Sequence, residues 1–179
     1  KPILEVALKE PADAYHPVMT LIQQLLEPAD PNNYAPAFYH APASGLAAKH
    51  VFLSEGLVDH YTPPATTEAL AVAMRAAPLN TVLSPVEGLA LRGLSAAQLP
   101  TSGNVTVGNG TVTAGLLQYQ AKEQGKSCKK DDECGSGYCD EGRCRREGHF
   151  VMFDNDDAQR HYGSFLATHA RDGVPTILP

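Results

Sequence analysis

Two distant segments of this 179-residue chain place an acid and a base just after apolar runs: GLVDHYTPP around Asp59 and EGHFVMFD around His149. An imidazole works as a general base when an accepting group at its other ring nitrogen fixes the tautomer and stabilises the imidazolium. Asp59 and His149 are therefore the candidate catalytic residues, the acid and base of a Ser-His-Asp arrangement. The serine is not supplied. No Gly-x-Ser-x-Gly occurs in the chain, and neither Ser44 nor Ser54 sits in a substitute for it.

Plainer roles compete for the same residues. An Asp ahead of a proline-rich loop commonly bonds its own backbone. Glu55, nearer the apolar run, is the rival acid and is expected to be a structural polar residue at the sheet edge. His16, His40, His50, His60, His161 and His169 are expected to be packed or solvated, with His60 a pocket residue beside Asp59. Asp154, Asp156 and Asp157 could suggest calcium, but capping of a helix explains them without an ion. No metal or cofactor is assigned.

Three helices could position these groups. Residues 15–27 place Val18, Leu21, Ile22, Leu25 and Leu26 on one face, which should pack on a sheet or another helix, and Pro28 and Pro31 end the pattern. A second helix follows Pro63 and Pro64, with Thr66 or Thr67 as cap and Leu70, Ala73, Met74 and Ala77 facing inward until Pro78. The third starts near Asn155, carries a buried stripe of Ala158, His161, Tyr162, Phe165, Leu166 and His169, and ends at Asp172-Gly173. Strand-like runs lie between them at HVFL (50–53), VTAGLLQYQ (112–120) and FVMF (150–153), the last too short for a helix. Alternation of this kind indicates a parallel sheet covered on both faces, an α/β fold class. Residues 78–111, rich in Pro, Gly, Ser, Thr and Asn but carrying Leu89, Leu91, Leu94 and Leu99, form a long connection. Ligands of parallel sheets bind outside the carboxyl ends of the strands. Asp59 follows Leu53 by six residues, and His149 follows the 112–120 strand once an intervening cysteine segment is set aside.

That segment holds all four cysteines, Cys128, Cys134, Cys139 and Cys144, among Gly, Asp, Glu, Lys and Ser. With almost nothing apolar to bury, it is expected to be stapled by two disulfides in an oxidising compartment. Zinc is the competing reading, although gaps of five, four and four residues lack the usual knuckle spacing.

Composition narrows the partners. A net charge of -6 and basic residues grouped only at Lys129, Lys130 and Arg143 to Arg146 argue against nucleic acid. No apolar run is long enough to span a bilayer. The opening KPILEVALKEP lacks the apolar core and cleavage site of a signal peptide, so a leader, if there was one, is expected to have been removed. Asn104-Val105-Thr106 and Asn109-Gly110-Thr111 are sequons, marking an exposed loop if the source glycosylates.

Taken together, Glu55-Gly56-Leu57-Val58-Asp59-His60-Tyr61-Thr62-Pro63-Pro64 resembles the acid loop of α/β-hydrolases, and Gly148-His149-Phe150 resembles their Gly-His-Phe turn before the last helix. Asp30-Pro31-Asn32-Asn33-Tyr34-Ala35-Pro36 is similar to the run before the acid strand in esterase- and lipase-like members. The likeness covers most of residues 15–78 and 112–171. It departs from the family in lacking a nucleophile elbow and in carrying the cysteine segment immediately before the histidine.

The resemblance implies the C-terminal part of a mostly parallel α/β-hydrolase sheet flanked by helices, with a small disulfide-stapled insertion. Residues 1–127 and 148–179 would be hydrolase core and 128–147 the insertion. It further implies a carboxylic ester hydrolase in which Asp59 and His149 serve a serine on a missing N-terminal half or partner chain, in a secreted, periplasmic or cell-surface location. The cysteine spacing resembles short repeats of secreted proteins, which implies first-to-third and second-to-fourth pairing. The alternative is a secreted, non-enzymatic binding module that uses the cysteine segment for recognition on a hydrolase-like scaffold.

Overall fold

The computed structural model describes residues 9, 13, 15–135 and 137–179; the expectation about a leader falls largely outside them. The chain divides into two compact units, Lys1–Tyr34 and Ala35–Pro179. In the first, α1 (Pro17–Leu26) starts with proline at its first position and with the His16 imidazole accepting from the Val18 amide at 3.2 Å. The apolar stripe expected to pack is only partly covered among the described residues: Val18 and Ile22 are half-buried, while Leu21, Leu25 and Leu26 are exposed, Leu25 at 79%.

The second unit is built on two parallel strands, β1 (Val51–Gly56) and β5 (Ala114–Tyr119), in register from Val51 opposite Ala114 to Gly56 opposite Tyr119. Alternation sends their side chains to two different cores. Val51, Leu53, Ala114 and Leu116 join Tyr39 of α2 (Ala35–Tyr39), Ala71 and Met74 of α3 (Pro64–Met74) and Leu89 of α4 (Glu87–Leu91). Phe52, Leu117 and Tyr119 face the opposite way, onto Val151 of α5 (Val151–Asp154) and Ala158 and Phe165 of α6 (Asp156–Asp172). Every residue of β5 is buried, as expected for a strand covered on both faces.

The free edge of β5 is taken up by the long connection, where the Leu79 amide donates to Leu116 O at 2.8 Å and the Leu116 amide to Ala77 O at 3.0 Å. Leu89 and Leu94 pack on the α3 side and Leu99 on the α6 side, so 78–111 is sheet packing. The parallel order expected from the alternation is confined to this small centre. The other sheets are short and antiparallel: β2 (Thr101–Ser102) with β9 (Thr176–Ile177), and the hairpin of β3 (Val105–Val107) and β4 (Gly110–Val112). The fold is a small mixed α/β sandwich, and the extended, mostly parallel sheet is not among the described residues.

The cysteine segment has its own three-stranded sheet, β6 (Glu123–Ser127), β8 (Arg143–Arg145) and β7 (Tyr138–Asp140), in that order. Disulfides join Cys128 to Cys139 and Cys134 to Cys144. The sheet begins at Glu123, upstream of the first cysteine, because β6 must pair with β8.

Three local expectations change. The apolar run 150–153 is a helical turn, α5, after a 3-10 turn at Gly148–Phe150. Helix α3 stops at Met74, short of Pro78, with Arg75 in the left-handed conformation, and Pro63 stands at its N-cap, where its carbonyl accepts from Thr66 Oγ1 at 2.8 Å. On α6, Ala158, His161 and Thr168 are buried, while Leu166 and His169 are exposed. That helix buries a narrower face than the apolar stripe suggests, because only part of the stripe meets the short sheet.

Candidate functional site

The loops leaving β1 and entering α5 meet at the carboxyl end of the parallel pair. Beyond Gly56 the Leu57 amide still bonds Tyr119 O at 2.9 Å, and Val58 then adopts φ 59°. A left-handed β-branched residue is strained, at a cost of roughly 1–3 kcal/mol. That turn brings Asp59 to face the histidine loop. The loops approach backbone to backbone: a Cβ on Gly148 would lie 2.5 Å from Leu57 O, and one on Gly56 would collide with the Gly148 carbonyl. Only glycine fits at either position.

In this crossing His149 Nδ1 lies 3.0 Å from Asp59 Oδ2, with the acid side chain 11% exposed and the imidazole 41% exposed. Asp59 Oδ1 accepts from the Tyr61 amide at 2.8 Å and the Thr62 amide at 2.7 Å. The two oxygens of Asp59 thus divide between the turn amides and the His149 ring. With the Asp59 carboxylate as acceptor, Nδ1 is the donor side of this contact, and among the described residues Nε2 has no partner. The rings of Tyr61 and Phe150 lie 5.1 and 5.2 Å from the imidazole. The cleft in front, about 190 Å³, is lined by Ser54, Asp59, Thr62, Thr67, His149 and Met152. Ser54 Oγ is fully buried at the base of this cleft and has no partner among the described residues. Ser44 does not line this cleft.

Glu55 points to the opposite face of the sheet and stands apart from the cleft. It is 2% exposed, accepts from Gln118 Nε2 at 3.1 Å, and keeps Oε2 buried and unpartnered. Burial, reinforced by the Glu68 charge and opposed by the Gln118 hydrogen bond, pushes its carboxyl up to about 7.

A residue that the sequence did not single out completes the crossing. Glu147, 8% exposed, accepts from the His60 amide at 2.7 Å and pairs with His60 Nδ1 at 2.8 Å. This hydrogen bond, against partial desolvation, raises the His60 imidazole above its usual value. Of the remaining histidines, His161 is buried against the Tyr119 hydroxyl at 2.9 Å, and His50 packs on His169 at 5.2 Å. In the acidic group at 154–157, Asp154 pairs with Arg146 and Asp157 with Arg160, each at 2.7 Å. Cys128, Cys134 and Cys144 cluster closely enough for a metal, but their sulfurs are committed to disulfides. Among the described residues no helix is long and apolar enough to cross a membrane.

Compared with known protein families, curated proteins and solved structures, the chain matches none.

Proposed function

We propose that this chain carries the orienting acid, Asp59, and the general base, His149, of a serine hydrolase acting on carboxylic esters. The nucleophilic serine and the oxyanion donors belong to an N-terminal half or a partner chain. The observation that carries the reading is the 3.0 Å contact of His149 Nδ1 with an Asp59 carboxylate that two backbone amides hold in place, at the carboxyl end of a parallel strand pair. His149 Nε2 would take the serine proton during attack on the carbonyl and return it to the leaving alcohol, while Asp59 stabilises the imidazolium.

Two features favour a site completed from outside. The cleft holds about 190 Å³, below the roughly 300 Å³ at which ligand pockets begin. Among the described residues strand β1 pairs only with β5, and Ser54 Oγ and Glu55 Oε2 on it are buried without partners. An added strand beside β1 would extend the sheet toward the α/β-hydrolase arrangement implied by the acid-loop and Gly-His-Phe resemblances. The two disulfides fit a secreted, periplasmic or cell-surface setting.

The test is intact mass spectrometry of native, non-reduced material before and after a fluorophosphonate probe, with wild-type, Asp59→Asn and His149→Ala proteins. A single adduct on an associated segment, with ester turnover and labelling rate falling about four orders of magnitude in either variant, is expected. Unchanged labelling in both variants would overturn the reading. The second reading, a binding module, draws on β6, which is exposed along its whole length. It requires binding that depends on residues 128–144 and no reactive serine.

A further inference from the structure

The six residues from Cys144 to His149 are tethered one after another. Cys144 is completely buried in its disulfide; Arg145 Nε bonds Asp140 at 2.8 Å; and the Arg146 amide bonds Lys122 O at 2.9 Å. Glu147 takes both the amide and the ring nitrogen of His60, and the Gly148 amide reaches Val58 O at 3.3 Å, just before His149 meets Asp59. Two acid–imidazole pairs therefore cross between the same two loops in opposite senses. Asp59 on the first loop holds His149 on the second, and Glu147 on the second holds His60 on the first.

The second pair differs from the first in what it can do. Glu147 is nearly enclosed, and one of its oxygens is spent on a backbone amide, so its geometry fixes main chain as well as side chain. His60 is adjacent to Asp59, and Glu147 is two residues from His149. Clamping 60 to 147 thus leaves the Asp59–His149 contact little freedom of its own.

We propose that Glu147 is a positioning residue, which acts through His60 and the disulfide-anchored strand β8 to hold His149 against Asp59. This rests on the reading of Asp59 and His149 as a working acid–base pair. It gives the cysteine segment a role inside the site, as the anchor of the chain that carries the base.

The chain itself can be tested by nitrogen-15 NMR, which distinguishes imidazole tautomers directly. Above the range where imidazoles titrate, a free neutral histidine prefers its proton on Nε2. A His149 held by Asp59 carries it on Nδ1. The wild-type protein is expected to show His149 mainly as the Nδ1–H form, and Asp59→Ala to reverse the ratio. Glu147→Ala and His60→Ala are expected to reverse it as well, with disulfides intact by mass. Glu147→Gln, which keeps an acceptor for the His60 amide, should restore part of the wild-type ratio. His60 is largely exposed, so its alanine variant remains informative if Glu147→Ala fails to fold. An Nδ1–H form in the wild type that persists in His60→Ala and in every folded Glu147 variant would overturn the positioning role and leave the acid–base pair standing. An Nε2–H form in the wild type would overturn both.

Discussion

Glu55 is a buried carboxyl that stands apart from the Asp59–His149 cleft. Its folded-state value is raised from 4.5 to about 7 by burial and by Glu68. The unfolded chain therefore releases this proton first as pH rises, and stability falls across that window and stays lower above it. The fall is at most about 3 kcal/mol at roughly 1.4 kcal/mol per pH unit. Glu55→Gln keeps an acceptor for Gln118 and removes the ionisation. Urea unfolding should find it close to wild type at about pH 4 and more stable by up to about 3 kcal/mol near pH 8. An equal difference at both would mean that Glu55 does not titrate in that window. His60 shifts stability with pH in the same direction, through a gained partner rather than through burial. Its raised value contributes stability below the usual imidazole range, which is lost as pH rises through the folded value.

At the scale of elements, the sequence was most readable where the signal was local. Asn155 caps α6 by accepting from the Asp157 and Ala158 amides, both at 3.0 Å, and Gly173 ends it at φ 79°. Both roles follow from residue type at one position. The partners of Glu147 and Gly148 were not readable, because each contact joins segments about ninety residues apart and leaves no periodicity behind. The helical turn at 151–154 was hidden by its length, and the exposure of Leu166 and His169 by the shortness of the sheet beneath α6. The sequons of the β3–β4 hairpin separate on the same principle. Asn104 donates to Ala114 O at 2.8 Å and accepts from its amide at 3.0 Å, extending the ladder with a side chain. Asn109 is exposed at the hairpin turn. Asn104→Ala should cost about 1–3 kcal/mol in chemical unfolding and Asn109→Ala close to nothing. Equal effects would show that the amide bracket contributes no stability.

For the whole molecule, the distribution of apolar surface is uneven. The β1–β5 centre is sealed by helices on both faces, whereas α1 leaves Leu21, Leu25 and Leu26 exposed and, among the described residues, β1 pairs on one edge alone. Open strand edges and exposed apolar stripes are the usual sites of association. The cysteine segment is closed by contrast. Its ends meet where the Arg146 amide bonds Lys122 O at 2.9 Å, with Glu147 just beyond, and between them it adds the buried Tyr138 to the core and an Asp140 contact to Gln120 at 3.0 Å. Entry and exit that meet in this way form a socket. Residues 123–145 should be replaceable by a short Gly-Asn turn with β1 and β5 still paired, as amide exchange would show; loss of protection in β5 would refute it. Such a socket could host peptides of other lengths and chemistries, which makes the segment beside His149 an insertion port whose contents can vary while the strands beneath it stay fixed.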